Sequence, residues 1–217
     1  MINSVIFDFN GTLVQDTHLH NLAWQGFFKK YGLAVPDEKA MFHLHGKTNK
    51  DILSLFFTPE MPAAEMLELS REKEDLYRRL FIERQVGFIQ GAVALFEWLQ
   101  QQKIPFTIAT ASDEENVNFY FDYLRLGEYF DRSKVVYNDG SIPGKPDPEL
   151  FLRAIRNLGV TASEVLIFED SFNGIRAAEN AGAGKIVIVD SHGEDYAAWD
   201  YPTILTFTDF DRTVFKH

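Results

Sequence analysis

There is no cysteine among the 217 residues, which excludes disulfides, thiolate metal centres and a cysteine nucleophile. Basic residues are the minority charge: 21 Lys and Arg stand against 32 Asp and Glu, a formal net charge of -11. Clustered Lys and Arg drive binding to a phosphate backbone, so nucleic acid, single-stranded or duplex, is not an expected partner. The acidic balance reads as a solvated surface. No apolar run approaches the roughly 20 residues of a membrane span, and no leader segment is visible. There is no internal repeat and no low-complexity stretch. The expectation is a cytoplasmic, monomeric protein without a membrane partner. What is present is a globular composition, 46% hydrophobic and 24% charged, long enough for one sizeable core and a smaller accessory domain. Most of the 20 Phe fall at helix or strand spacing and read as core.

The apolar run Val5-Ile6-Phe7 stops at Asp8, continues through Phe9 to Asn10 and breaks at Gly11. It reads as a buried parallel strand with a sharp turn at its carboxyl end, where open α/β sheets bind ligands. Residues 15–86 have helical periodicity, with breaks at Gly32, Pro36, Gly46 and from Pro59 to Pro62. The last helix of that region is amphipathic, with Ala64, Leu67, Tyr77 and Leu80 as its expected apolar face. Ala92, Leu95, Phe96 and Leu99 mark another helix, and Pro105 to Ala109 is a strand ending at Thr110 and Ser112. Further helices are expected at Glu114 to Leu124 and Asp147 to Leu158. Strands are expected at Lys134 to Tyr137, Val165 to Phe168 and Ile186 to Val189. Alternating strands and helices imply a parallel sheet covered on both faces. The expected architecture is a doubly wound α/β core, residues 1–14 and 87–217, with a smaller helical domain inserted at 15–86.

Asp8, Thr110, Lys145 and the pair Glu169-Asp170 each follow or flank an expected strand, and parallel strands bring such ends together. A carboxylate that attacks a phosphate dianion needs its repulsion cancelled, which a divalent cation on further carboxylates and a nearby ammonium achieve. Thr110 at a helix start suits phosphate oxygens, or N-caps that helix, as Ser112 also would. Glu169 and Asp170 point to opposite faces, so one faces the metal and the other acts through water or a neighbour. Asp190 reads as structural, and Asp16 with Thr17 as the start of a helix.

Four segments carry a family resemblance: Asp8-Phe9-Asn10-Gly11-Thr12-Leu13-Val14, then Thr110, then Gly144-Lys145-Pro146-Asp147-Pro148-Glu149, then Phe168-Glu169-Asp170-Ser171-Phe172-Asn173-Gly174. In this order they resemble the motifs of the haloacid dehalogenase-like hydrolases, across nearly the whole chain. The chain is most similar to the subgroup of β-phosphoglucomutases and small sugar-phosphate phosphatases, whose cap signature His20, Trp24, Gly46 and Lys47 resemble. The resemblance implies a Mg2+-dependent hydrolase of small phosphomonoesters. Asp8 would be the nucleophile forming an aspartyl-phosphate. Thr110, with Ala111 beside it, would bind phosphate, and Lys145 would neutralise charge. Asp8, Asp170, the backbone carbonyl of Asn10 and, in a supporting role, Glu169 would hold the metal. The helical insertion would be a cap, hinged near Val14 to Asp16 and Val86 to Gln90, with Gly46 and Lys47 meeting substrate.

Position 10 departs from the family pattern. An Asp there would protonate the leaving group and then activate water; an amide does neither, and a lost acid/base costs roughly 100 to 10,000-fold. His20 is the leading candidate to replace it, ahead of His18, His43 and His45. Two other readings stay open: a phosphate-metabolite binding or regulatory protein with weakened catalysis, and a phosphosugar mutase. Asn49 disfavours the mutase, because an arginine that grips the distal phosphate would stand there. A carbon-halogen hydrolase fits least, since that branch needs no acidic metal pair.

Overall fold

Six apolar runs become strands: β1 (Ser4–Phe7), β2 (Phe106–Asp113), β3 (Val136–Asn138), β4 (Val165–Glu169), β5 (Lys185–Val189) and β6 (Thr203–Ile204). In the computed structural model, which describes residues 1–57, 61–191 and 193–215, they form one all-parallel sheet in the order β3-β2-β1-β4-β5-β6. The expected break at Pro59 lies outside the described residues. Four helices, α1 (Thr17–Lys30), α2 (Glu38–Phe42), α3 (Asn49–Leu53) and α4 (Ala63–Glu83), follow β1. The others alternate with the strands: α5 (Ala92–Gln101), α6 (Glu114–Tyr123), α7 (Glu149–Leu158) and α8 (Phe172–Asn180).

Successive strand residues bury on opposite faces. Val5 and Phe7 of β1, with Leu166 and Phe168 of β4, meet Leu95 and Phe96 of α5 and Val117 and Tyr120 of α6. Ile6 and Ile167 meet Phe151 and Ala154 of α7 and Ala177 of α8 on the other side. Burial on both faces is why β1 and β4 read as unbroken apolar runs, and it makes the fold the doubly wound α/β type that the alternation implied. The Phe7 and Phe168 rings stack 5.1 Å apart across the β1–β4 pair, fixing the register at the end of the strands that carries the polar residues.

The helices between β1 and α5 have an apolar cluster of their own, including Trp24, Phe28, Met41, Ile52 and Leu69. Their inner ends are rooted elsewhere: Leu19 and Ala23 of α1 and Tyr77 and Phe81 of α4 belong to the cluster of β1. The expected face of α4 is corrected in its first half. Ala64 is exposed and Leu67 is 51% exposed, while Leu69, Lys73, Glu74, Tyr77 and Phe81 bury. Lys73 and Glu74 can go inside because they neutralise each other at 2.7 Å; an isolated charge would not.

Two further departures have simple causes. β2 runs on to Asp113, beyond the expected end, because its pairing with β3 shifts register between Ala109 and Asp113. β6 is two residues long, too short to show a period. The segments entering and leaving α1–α4 run side by side: Val14 bridges Phe88 in antiparallel fashion, and the Ile89 N–H donates to the Leu13 carbonyl at 2.9 Å. No helix among the described residues is long and apolar enough to cross a membrane.

Candidate active site

The order of strands reverses at β1, which has β2 on one side and β4 on the other. Phe7 pairs with Ile108 and with Phe168, so the next residues, Asp8 and Glu169, emerge level with each other at the carboxyl edge. Lys145, from the loop before α7, is 3% exposed and reaches between them. Its ammonium donates to Asp8 Oδ1 at 2.6 Å and to Glu169 Oε1. Burial pushes the Asp8 carboxyl well above its ordinary pKa against the pull of Lys145, and it raises Glu169 in the same way. Burial works against the Lys145 charge, but the two carboxylates hold its pKa above the usual lysine range.

Asp8, Glu169 and Asp170 each bring a carboxylate oxygen within 4.8 Å of the others. One lysine cannot balance three buried carboxylates, and an all-oxygen set suits a hard divalent cation. The acidic pair divides its work. Glu169 accepts from Lys145 through Oε1 and from the Ser171 N–H at 2.7 Å through Oε2, whereas Asp170 lines the cavity and accepts from Thr12 Oγ1 at 3.1 Å. Gly11 makes this closeness possible: at φ +80° its missing Cβ would stand 2.0 Å from Asp170 Oδ2, so the loop passes the carboxylate only as glycine.

On β2, Thr110 is buried, and its Oγ1 accepts from the Ser112 N–H at 3.1 Å. Asp113 is the N-cap of α6, accepting from the Asn116 N–H at 2.9 Å. Neither Thr110 nor Ser112 caps the helix; both line the cavity with Ala111, and the Ser112 hydroxyl donates to Asn10 Oδ1.

The Asn10 side chain is fully engaged. Its Nδ2 donates to Asp16 Oδ2 at 2.7 Å, Tyr120 OH at 2.9 Å and Tyr77 OH at 3.2 Å. Its Oδ1 accepts from Ser112 Oγ at 2.8 Å. Asp16 stands at the N-cap position of α1 but does not cap it; its other oxygen accepts from the Gly11 N–H at 2.9 Å. Burial pushes the Asp16 carboxyl from 3.8 up to about 6, although Tyr77, Asn10 and the Gly11 N–H pull it down. A carboxyl that holds its proton more tightly folded than unfolded adds stability below about pH 4 and loses it as the pH rises through about 6. In metal-free protein, denaturant titration should therefore show the stability difference between wild type and Asp16→Ala declining by about 1 kcal/mol between about pH 5 and 7.5. A flat or rising difference contradicts the raised carboxyl.

Above these groups lies a cavity of about 100 Å3, lined on its far side by α1, α3, α4 and the loop after α2. His20 and Lys47 are both there, half-buried. Lys73 donates to His20 Nδ1 at 2.8 Å, and an ammonium cannot accept, so the ring proton is on Nε2. Burial and Lys73 push His20 well below its ordinary pKa, and its ring stacks on Tyr77 at 3.8 Å. His20 is thus a neutral ring at pH 7, poorly suited to replace a general acid. His45 lines the cavity as well, while His18 and His43 are exposed and outside it. The Gly46 loop sits on the motif after β4: at φ +77° a Cβ there would lie 2.7 Å from Ser171 Oγ. Asn49 spends its amide on Glu74 Oε1 at 2.7 Å.

The cavity lining gathers Asp8, Asn10, His20, Gly46, Lys47, Thr110, Ala111, Lys145 and Asp170 from distant parts of the sequence; Glu169 lies beneath them. Sequence reasoning passed over Asp16, Lys73, Glu74, Tyr77 as a polar group, and Tyr120. A signal for Lys73 existed, since stepping back four residues twice from Phe81 along its stripe gives Tyr77 and then Lys73. Nothing local marks Asp16, whose position at a helix start has a commoner explanation.

The family model for haloacid dehalogenase-like hydrolases matches residues 2–182. A phosphorylated carbohydrates phosphatase of Thermotoga maritima is 27% identical over 85% of this chain and 84% of its own length. A fructose-1-phosphate phosphatase of Escherichia coli is 29% identical, over 84% of this chain and 94% of its own. The crystal structure of a HAD hydrolase, family IA, variant 3, from Entamoeba histolytica is similar with a TM-score of 0.87 at 34% identity, covering 97% of this chain and 96% of that one.

Proposed function

Because this chain belongs to the haloacid dehalogenase-like hydrolases, we propose that it is a Mg2+-dependent phosphatase of small phosphorylated metabolites, with Asp8 as its nucleophile. The observation that carries the reading is the buried Asp8 carboxylate, held by Lys145 at 2.6 Å beside Glu169 and Asp170. The relatives named as phosphatases of phosphorylated carbohydrates support sugar phosphates as the substrate class. Asp8, Asp170 and the Asn10 carbonyl would hold Mg2+, which when bound supplies charge neutralisation at the phosphoryl group.

In this reading an Asp8 oxygen bonds to phosphorus as the ester P–O bond breaks, the leaving oxygen takes its proton from solvent water, and a second water then attacks phosphorus and breaks the bond to Asp8, releasing phosphate and regenerating the carboxylate. Lys145 keeps Asp8 ionised and aimed, with Glu169 fixing Lys145 from below. The Thr110 hydroxyl and the backbone around Ala111 meet the phosphoryl oxygens. Residues 15–86 act as the cap, closing about the paired segments at Val14 and Phe88 and excluding water. Lys73 and Lys145 are neutralised by carboxylates; Lys47 is the lining lysine without such a partner among the described residues, and it serves the polar leaving group. Asn49, committed to Glu74, has no grip to offer a distal phosphate, so the mutase reading is not adopted.

Phosphate release from a panel of phosphomonoesters, with Mg2+ and with EDTA, tests this. Turnover of sugar phosphates that EDTA abolishes and Mg2+ restores is the expected result. Turnover indifferent to EDTA removes the metal from the reading, and Mg2+-dependent binding without turnover makes this a binding protein.

A further inference from the structure

We propose that Asp16 is a positioning residue for position 10: the two side chains form a matched amide–carboxylate pair that fixes which hydroxyl of the phosphate pocket keeps its hydrogen. The kinetic consequence rests on the phosphatase reading, and the pairing itself does not.

The geometry leaves the Asn10 amide one orientation. Nδ2 faces three acceptors, Asp16 Oδ2 at 2.7 Å and the hydroxyls of Tyr120 at 2.9 Å and Tyr77 at 3.2 Å. Two amide hydrogens are fully used by that set, so none is left for a leaving group. Oδ1 takes the Ser112 hydroxyl at 2.8 Å, while Thr110 Oγ1 is 3.5 Å from the same oxygen. Ser112 therefore spends its hydrogen on Asn10, whereas the Thr110 hydroxyl donates to the same oxygen only across a long 3.5 Å and can turn that hydrogen to a phosphoryl oxygen. Asp16 sets this arrangement, as it is the group on that side that can only accept. It is itself held from three directions, by the Gly11 N–H, the Tyr77 hydroxyl and Asn10.

Each partner is serviceable only with the other. Asp16→Asn puts an amide NH2 against either the Asn10 NH2 or the Gly11 N–H, or turns the Asn10 amide over and sets its NH2 on Ser112. Asn10→Asp sets two buried carboxylates in contact at the 2.7 Å now spanned by a hydrogen bond. Among the described residues no Lys or Arg forms an ion pair with Asp16; its basic neighbour is His20 Nε2 at 3.8 Å, on a ring held neutral. The exchange Asn10→Asp with Asp16→Asn restores one amide facing one carboxylate. An oxygen then remains for the Gly11 N–H at position 16 and for the Ser112 and tyrosine hydroxyls at position 10.

The test compares wild type, the two single variants and the exchange. Denaturant unfolding in EDTA gives the stability cycle, and kcat and KM with Mg2+ on the best substrate of the panel give the kinetic one. Each single substitution is expected to raise the unfolding equilibrium constant by about 30-fold, with the exchange reversing most of that rise. In Asp16→Asn, kcat should fall about 10 to 100-fold with KM within about threefold, and the exchange should regain turnover. A single variant that fails to fold while the exchange folds supports the pairing; an exchange that fails while the singles fold overturns it. Independent, multiplying effects of the two substitutions overturn it too, as does wild-type kcat in Asp16→Asn. If no phosphomonoester is turned over by wild type, the phosphatase reading falls. The unfolding cycle and the affinity for inorganic phosphate with Mg2+ then decide the pairing alone.

Discussion

Asp8→Asn should abolish phosphate release, lowering kcat by about 10^4 to 10^6-fold, the scale on which removal of a covalent nucleophile is felt. The amide is nearly isosteric but has no charge to offer phosphorus, and it leaves Lys145 paired with Glu169 alone. Stability should change far less than activity. The Asp8 carboxyl is pushed well above its ordinary pKa by burial, so replacing it with a neutral group removes a desolvation cost along with the Lys145 hydrogen bond. Phosphate release at saturating substrate, read beside a melting curve, separates the two effects. Retained turnover in a folded Asp8→Asn protein would move the nucleophile elsewhere.

Lys145→Met is expected to cost the most stability. Lys145 is the cation among three buried carboxylates, and removing one partner of a buried ion cluster costs about 3 to 5 kcal/mol. For a chain of this size that lowers Tm by about 10 °C. Turnover should also fall at least about 10^2 to 10^3-fold, the cost of one lost electrostatic contact at a reacting centre. The sign of the pH effect is fixed by the carboxyls. Burial raises Asp8 and Glu169, so both take up protons as the pH falls, leaving less charge uncompensated in the variant. The loss in Tm should therefore be larger at pH 7.5 than at pH 5, and added Mg2+ should recover part of it at the higher pH. A loss independent of pH would mean that Lys145 contributes packing, for example against the Phe151 ring 5.1 Å away, more than charge.

The α/β fold was legible because its causes are local. A buried parallel strand must be apolar on both faces, so β1, β4 and β5 announce themselves in four or five residues, and each polar residue that follows marks a strand end. Asp8 and Asp170 stand out as candidates by that logic; Thr110 lies inside β2 and Lys145 in the loop before α7, and the resemblance to the family gathers all four. Both short features and long-range ones were lost. The two-residue β6 has no period, and the face of α4 depends on what α1 and the cavity present to it. The Lys73–Glu74 pair buries through contacts with His20, Asn49 and Asn116, none of which is near in sequence except the pair itself.

The sequence by itself determined the sheet, its helical coverings and the carboxylates and lysine at its edge, since hydrophobic period and residue chemistry act over a few positions. Only the tertiary structure decided what Asn10 is for. In the sequence it is a carboxylate missing from its place; in the fold it lies against Asp16 from the start of α1, Tyr77 from α4, Tyr120 from α6 and Ser112 from β2. Whether a buried polar group is a defect or a fixed part of the site depends on its partners, and those come from four elements that only the folded chain brings together.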